Sequence, residues 1–184
     1  MEMTTTTDDQ TNDETRLSAA TNAPLTNAED ETSPIIEEVT SFEEMGLRAE
    51  LFRGILAYGF ETPSIIQQKA IPAFVKYNRD IIAQAQSGTG KTATFSVALL
   101  QKVVEENDAL QGIILAPTRE LASQIHGVIT ALGQFSKVRI SLVSGGAGVR
   151  QGVDKLRHDR PHIIVATPGR MAHLIRDRYV NTRH

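Results

Sequence analysis

From Phe42 onward, the chain alternates segments of helical periodicity with short apolar runs. Apolar residues spaced three and four positions apart indicate helices, and they predict helices over Arg48–Tyr58, Lys91–Val104, Thr118–Phe135, Val149–His158 and Arg170–Tyr179. The short apolar runs predict strands over Asp80–Ala85, Gly112–Pro117, Arg139–Val143 and His162–Thr167. Because each predicted strand leads into a helix, the pattern favours an α/β fold with a doubly wound parallel sheet.

The region between the first predicted helix and the first predicted strand carries clear start and stop signals. Gly59 closes the first helix, where a C-terminal glycine is common. Ser64 and Gln67 have the spacing of a capping box and predict a second, short helix. Pro72 is expected to interrupt that helix before Ala73–Tyr77, because proline removes a backbone donor.

Two of the predicted strands, Gly112–Leu115 and His162–Ala166, are mostly apolar rather than alternating. Strands of this kind are typical of parallel sheets that are covered on both faces. In doubly wound sheets, ligands bind outside the carboxyl ends of the strands. The loops that follow the predicted strands are therefore the expected positions of a binding site.

Composition narrows the class of protein. The 184 residues include no cysteine, which excludes disulfides, thiolate zinc sites and cysteine nucleophiles. No apolar run approaches the length of a membrane span, and the N-terminus lacks the features of a signal peptide. We therefore expect an intracellular, soluble protein with no membrane partner. We also expect a monomer located in the cytoplasm, the nucleus or both.

The balance of acidic and basic residues changes near residue 42. Before this point Arg16 is the only basic residue against ten acidic ones, and the segment is nearly free of aromatic residues. Such a composition predicts that residues 1–41 form a disordered acidic tail. The remaining residues hold 18 basic and 12 acidic side chains. This mild excess suits a polyanionic partner such as nucleic acid, although many domains are mildly basic without one.

The segment Ala85–Thr92, with the sequence AQSGTGKT, carries the most specific chemistry in the chain. It lies between a predicted strand and a predicted helix, the context of a phosphate-binding P-loop. Gly88 and Gly90 let the main chain approach phosphate oxygens. Lys91 would place its charge on the terminal phosphates, and the hydroxyl of Thr92 would ligate Mg²⁺. The first position is alanine rather than glycine, so the segment is a variant of the P-loop pattern. The flanking predicted strand and helix favour a P-loop over an ordinary turn.

Three further loops at the predicted edge combine helix N-termini, glycine and arginine. They are Pro117–Ala122, Gly145-Gly146 and Thr167–Arg170. Helix N-termini and glycine backbone present N–H donors, while Arg119 and Arg170 add positive charge. Each loop alone is well explained as a cap and turn. Because all three loops are expected at the same edge as a P-loop, we favour the interpretation that they contact a chain of phosphates.

With these motifs in this order, the chain resembles the first RecA-like domain of the DEAD-box RNA helicases. Within that family it is similar to the translation initiation factor 4A group and its exon-junction and nucleolar relatives, which share these motifs. The resemblance runs from Phe42 to about Tyr179. It rests on five segments, Phe42–Leu47, Gly59–Gln67, Ala83–Thr92, Pro117–Ala122 and Thr167–Arg170. It implies that residues 42–184 form part of a RecA-like ATP-binding domain of an ATP-dependent RNA helicase.

The resemblance implies ATP and Mg²⁺ as cofactors, with Lys91 and Thr92 as catalytic residues and Thr92 as the metal ligand. Gln67 would bind the adenine edge, since an amide offers both a donor and an acceptor, and Phe42 would stack on the base. Gln67 as the capping partner of Ser64, and Phe42 as a core residue, are the alternative interpretations. The implied nucleotide-binding residues are Phe42, Gln67, Ala85, Gln86, Ser87, Gly88, Thr89, Gly90, Lys91 and Thr92.

The resemblance also implies RNA as a partner, held by its sugar-phosphate backbone and therefore independently of base sequence. The implied contacts are Pro117, Thr118, Arg119, Gly145, Gly146, Thr167, Gly169 and Arg170. Protein partners that stimulate the helicase are implied as well, without an indication of which.

The family hydrolyses ATP with an Asp-Glu-Ala-Asp motif and with arginines from a second RecA-like domain, and the 184 residues contain neither. We therefore expect a C-terminally truncated domain that does not hydrolyse ATP or unwind RNA by itself, with apolar surface exposed on its incomplete sheet. The alternative is a non-catalytic module that binds ATP and RNA or sequesters a partner. Gln67 and the edge loops argue against a P-loop ATPase of another class.

Overall fold

A computed structural model describes residues 39–76, 80–145 and 149–182. The helices are α1 (Ala49–Ala57), α2 (Ile65–Lys76), α3 (Lys91–Lys102), α4 (Arg119–Leu132), α5 (Val149–Asp159) and α6 (Pro168–Arg176). The strands are β1 (Gly112–Leu115), β2 (Ile140–Val143) and β3 (Ile163–Ala166). Residues 1–38 of the predicted tail lie outside the described residues, so the disorder of the tail stays a prediction.

The three strands form one parallel sheet in the order β1-β3-β2. The register aligns Leu115, Ala166 and Val143 at the carboxyl end of the sheet. On β3, Ile163 and Val165 belong to a core that includes residues of α1, α3 and α4, whereas Ile164 and Ala166 pack with residues of α5 and α6. The central strand is thus covered on both faces, and the predicted doubly wound α/β fold is confirmed.

Strand β1 is covered on one face only. Ile114 is buried in the core shared with α3 and α4, while Ile113 and Leu115 are exposed. The expectation of cover on both faces is therefore confirmed for β3 and wrong for β1. The reason is that β1 lies at the edge of the described sheet, beyond the reach of α5 and α6, which pack over β2 and β3.

The predicted strand Asp80–Ala85 does not form. These residues have no regular secondary structure, and the side chain of Ile82 is fully exposed, at 101%. A strand is stabilised by the hydrogen bonds of a neighbouring strand, and within the described residues the sheet ends at β1. The apolar run predicted a strand, but this structure supplies no neighbour for it.

Helix α2 continues through Pro72, so the predicted interruption is wrong. A proline at this position leaves the carbonyl of Gln68 without its helical donor. That carbonyl instead accepts a hydrogen bond from the backbone N–H of Val39, at 3.4 Å. The Pro72 ring is itself buried. A contact from a distant part of the chain therefore takes the place of the missing helical bond.

Helix ends follow local chemistry. Gly59 has a φ of 95° just after α1, in the left-handed region that favours glycine. The N-cap of α4 is Thr118, whose hydroxyl accepts a hydrogen bond from the N–H of Leu121 at 3.2 Å. Helix α6 begins at Pro168 rather than at Arg170 as predicted, because the fixed φ of proline suits the first helical position.

Candidate functional site

The predicted P-loop connects the irregular segment 80–86 to the N-terminus of α3. Gly88 and Gly90 have φ values of 81° and 91°, where other residues are strained. Gly90 is the N-cap of α3, and its carbonyl accepts hydrogen bonds from both the N–H and the hydroxyl of Thr94, each at 3.0 Å. Lys91 and Thr92 thus lie in the first helical turn, where backbone N–H groups attract anions.

The Lys91 ammonium folds back onto the loop. It donates hydrogen bonds to the carbonyl of Ala85 at 2.6 Å and to the carbonyl of Gln86 at 2.5 Å. The hydroxyl of Thr89 also donates to the carbonyl of Gln86, at 2.8 Å. These hydrogen bonds hold the Lys91 and Thr89 side chains against the loop, so a phosphate could bind Lys91 only by replacing the two carbonyls.

Gln67 is 3% exposed and lies against the P-loop. Its Oε1 accepts a hydrogen bond from the N–H of Ser64 at 2.8 Å, which confirms the predicted capping contact. The hydroxyl of Ser64 donates to the carbonyl of Thr89, also at 2.8 Å. A Cβ atom on Gly90 would lie only 2.8 Å from Nε2 of Gln67. The N-terminus of α2 and the P-loop are thus one packed unit.

Phe42 belongs to the core. Its side chain is 1% exposed and stacks on the ring of Phe60, with 6.5 Å between the ring centroids. The structure does not bring it to the cleft beside the P-loop. It occupies the core position that was the alternative interpretation, and stacking on adenine stays a prediction that requires the ring to move.

A cleft of about 950 Å³ separates the P-loop from the edge of the sheet. Its walls include residues of α2 and α3, residues 113–115 of β1, the apolar side chains Leu121 and Ile125 of α4, and the P-loop residues Ser87, Gly88, Gly90, Lys91 and Thr92. No acidic side chain of the described residues lines it. Leu121 and the β1 residues that line this cleft were not predicted as site residues, because in sequence they are indistinguishable from core positions.

The candidate RNA contacts lie in three segments that follow the three aligned strands. Pro117, Thr118 and Arg119 follow β1, and all three are exposed. Gly145 follows β2, while Gly146 lies outside the described residues. Thr167 is the N-cap of α6, and Gly169 and Arg170 lie in its first turn. The parallel register therefore gathers the described members of this set at one edge.

Two glycines at this edge contact arginines. A Cβ atom on Gly145 would lie 3.0 Å from Nη2 of Arg119, and one on Gly152 would lie 3.3 Å from Nη2 of Arg170. Gly152, in α5, has no sequence signal that would have marked it. Both arginines are thus placed beside the backbone of a neighbouring element.

The opposite end of the sheet is also polar. Asp108 forms ion pairs with Arg139 at 2.8 Å and with Arg160 at 3.2 Å. The hydrogen bond from Arg139, followed by the charge of Arg160, lowers the pKa of the Asp108 carboxyl. His162 is fully buried, and its Nδ1 accepts a hydrogen bond from the N–H of Arg139 at 3.1 Å. Burial, with a smaller effect of the Arg139 charge, lowers the pKa of His162.

The described residues lack two further features. No group of three or more histidine and acidic side chains there is arranged to hold a metal ion. No helix there is long and apolar enough to cross a membrane.

The sequence and the fold of this chain are both similar to those of known proteins. The profile described as DEAD/DEAH box helicase matches residues 64–184. The ATP-dependent RNA helicase eIF4A of Neurospora crassa is 52% identical over 146 residues, which are 79% of this chain and 36% of that protein. The chain therefore spans about a third of the length of this relative. The predicted similarity to the translation initiation factor 4A group is confirmed.

Solved structures of DEAD-box proteins have the same fold as this chain. A DEAD box protein from the hyperthermophile Methanococcus jannaschii superimposes with a TM-score of 0.73 and 37% identity, covering 78% of this chain and 39% of that one. Dbp5 of Saccharomyces cerevisiae, solved with RNA and ADP BeF3, gives a TM-score of 0.70 and 40% identity, covering 78% of this chain and 36% of that one. In its sequence, its parallel sheet and its P-loop, this chain belongs to the DEAD/DEAH box helicase family.

Proposed function

We propose that this chain supplies the nucleotide-binding half-site and one RNA-binding edge of an ATP-dependent RNA helicase of the translation initiation factor 4A type. The observation that carries the proposal is the packing of Gln67 against the P-loop. The amide that would bind adenine and the glycine loop that would hold the phosphates are joined through Ser64 and Thr89. One ligand with both a base and phosphates fits this arrangement, and ATP is such a ligand.

The P-loop residues have complementary roles in this proposal. The Lys91 ammonium now bonds to two neutral carbonyls, and phosphate oxygens are stronger partners because they are charged. The Thr92 side chain lines the cleft and makes no hydrogen bond within the described residues. Its hydroxyl is thus free to ligate Mg²⁺, which would neutralise phosphate charge when bound.

The edge formed by the loops after β1, β2 and β3 is proposed to hold the RNA backbone. Thr118 and Thr167 mark helix N-termini, where N–H groups favour phosphate oxygens. Arg119 and Arg170 add positive charge beside them. Contacts of this kind hold a nucleic acid without selecting its sequence. Protein partners, a monomeric state and a cytoplasmic or nuclear location remain part of the proposal.

Turnover by the 184-residue chain alone is not expected. Hydrolysis needs a carboxylate to hold the metal ion through water and to orient the attacking water. No carboxylate of the described residues lines the cleft. We propose that the chain binds nucleotide with Mg²⁺ and that catalysis requires groups which these residues do not provide.

The test is nucleotide binding by the purified chain, measured with a fluorescent ATP analogue in the presence of Mg²⁺. Lys91→Ala should weaken binding by about tenfold or more, because a charge-assisted contact with the phosphates is lost. Lys137→Ala is the matched control, since Lys137 is exposed and its backbone N–H bonds to Glu105 far from the P-loop.

Equal affinity of the parent chain and Lys91→Ala would contradict the nucleotide site. Phosphate release stimulated by RNA, if it disappeared in Lys91→Ala, would contradict the statement that this chain does not turn over.

A further inference from the structure

Arg119 and Gly145 are in close contact although 25 residues separate them in sequence. An ideal Cβ atom built on Gly145 would lie 3.0 Å from Nη2, 3.3 Å from Nε and 3.4 Å from Cζ of Arg119. Three atoms of the guanidinium group therefore face the α-carbon of this glycine. The side chain occupies the space that any other residue at position 145 would need.

The topology makes this contact unusual. Arg119 follows β1 and Gly145 follows β2, and these strands are not neighbours, because β3 lies between them. Neighbouring strands are about 4.8 Å apart, so β1 and β2 are separated by about twice that distance. The Arg119 side chain has to extend past the carboxyl end of β3 to reach Gly145. It thus links the outer two of the three loops that form the proposed RNA edge.

The charge of Arg119 is not neutralised by this contact. The side chain is exposed, and within the described residues it makes no hydrogen bond and no ion pair. Its donors are therefore available to an anion, while the nearby glycine backbone limits where the guanidinium can lie. An ordered but unpaired arginine loses less conformational freedom when it binds a phosphate.

We propose that Gly145 is a positioning residue that acts through Arg119. The absence of a side chain at position 145 lets the guanidinium lie against the backbone and point its donors at a phosphate of the RNA. This goes beyond the sequence interpretation, in which the backbone of Gly145 itself contacts RNA, and it rests on the proposed function of the same edge.

Alanine at position 145 isolates the steric effect. The φ of Gly145 is outside the left-handed region, so alanine is not strained there. The new Cβ would displace the guanidinium by a few tenths of an ångström or more. Gly127→Ala is the matched control, because a Cβ at that exposed glycine of α4 meets nothing within 4 Å.

The first measurement needs no RNA. The Nε–H signal of Arg119 in a ¹⁵N NMR spectrum of the full chain should shift and its order parameter should fall in Gly145→Ala. Both quantities should stay unchanged in Gly127→Ala. An unaltered Arg119 signal in Gly145→Ala would overturn the proposal.

The second measurement is the affinity of the full chain for a single-stranded RNA at several salt concentrations. Gly145→Ala should weaken binding by about three- to tenfold, the effect of one weakened charge-assisted contact at an exposed site. The slope of log affinity against log salt should fall by up to about 0.7, since one phosphate contact is affected. In the Arg119→Ala background the same substitution should have no further effect, because its target is absent.

The two measurements separate two kinds of failure. If Arg119→Ala leaves RNA affinity unchanged, the proposed function fails at this edge, and the NMR signal still decides whether Gly145 positions the arginine. If Gly145→Ala weakens RNA binding equally in the parent and in the Arg119→Ala background, Gly145 acts on RNA directly and the positioning role is wrong.

Discussion

Gly88 and Gly90 of the P-loop have similar backbone conformations and different surroundings. Both have positive φ values, near 81° and 91°. A Cβ on Gly88 would meet nothing within 4 Å, whereas a Cβ on Gly90 would lie 2.8 Å from Nε2 of Gln67. The sequence motif treats the two glycines alike. The structure shows that Gly90 is needed for space as well as for conformation.

This difference predicts unequal effects of alanine. Gly88→Ala should cost about 1–2 kcal/mol of unfolding free energy, from the left-handed conformation alone. Gly90→Ala should cost more, because it also moves the Gln67 side chain and strains its bond to Ser64. Urea unfolding of the two variants checks this order. Equal losses would show that the Gln67 contact adds no constraint.

Among the helices, α1 and α4 approach each other very closely at one point. A Cβ on Gly54 of α1 would lie 1.8 Å from the carbonyl oxygen of Leu132 at the end of α4. Helix interiors disfavour glycine, so its presence needs a reason. Here the reason is packing, and the helical periodicity of α1 gave no sign of it.

Gly54→Ala should therefore destabilise the protein by at least about 2 kcal/mol, since the two helices have to separate to make room. Gly127→Ala in α4 is the control and should stabilise by about 0.5–1 kcal/mol, because it removes the entropy cost of glycine where space is open. Thermal unfolding of both variants measures the difference. A neutral Gly54→Ala would contradict the close helix contact.

Helix α2 shows the same limit of sequence reasoning. The interruption predicted at Pro72 followed from local hydrogen bonding, which is the correct local rule. The helix nevertheless continues through Pro72, and the freed carbonyl of Gln68 accepts a hydrogen bond from Val39, which is far away in sequence. Capping and turn signals at Ser64, Gly59 and Thr118 were predicted correctly, since their partners are within three or four residues.

At the scale of the whole molecule, the sheet has a chemically different group at each end. The carboxyl end carries the loops with Arg119 and Arg170, and the P-loop lies across the cleft from β1. The other end carries buried His162, with Asp108, Arg139 and Arg160 around it. His162 also accepts hydrogen bonds at its carbonyl from the N–H groups of Gln111 and Gly112. This residue thus joins the starts of β1, β2 and β3.

The lowered pKa of His162 predicts a pH dependence of stability. The folded protein binds a proton less readily than the unfolded chain, whose histidine pKa is about 6.5. Stability is then fully present above about pH 6.5 and is lost as the pH falls from there towards the folded pKa. Protonating Nδ1 also ends its hydrogen bond with the N–H of Arg139.

The measurement is the free energy of unfolding between pH 7.5 and 5.5. The parent should lose stability on acidification, by at most about 1.4 kcal/mol per pH unit for one proton. His162→Asn keeps an acceptor for Arg139 and should flatten this slope, whereas His158→Asn, at an exposed position, should not. A parent stability that does not change over this range would contradict the burial effect.

Local patterns and the order of the motifs were enough to predict the order of the described strands and helices, the helix caps, the P-loop motif and the family. Each of these depends on residues close together in the chain or on an ordered set of motifs. The tertiary structure alone decided the rest. It left Asp80–Ala85 unpaired and β1 exposed, because a strand depends on its neighbours in the sheet. It buried Phe42 beside Phe60 and placed Arg119 beside Gly145. Each of these contacts joins segments whose distance in space is set by the packing of the sheet and helices, which no local pattern encodes.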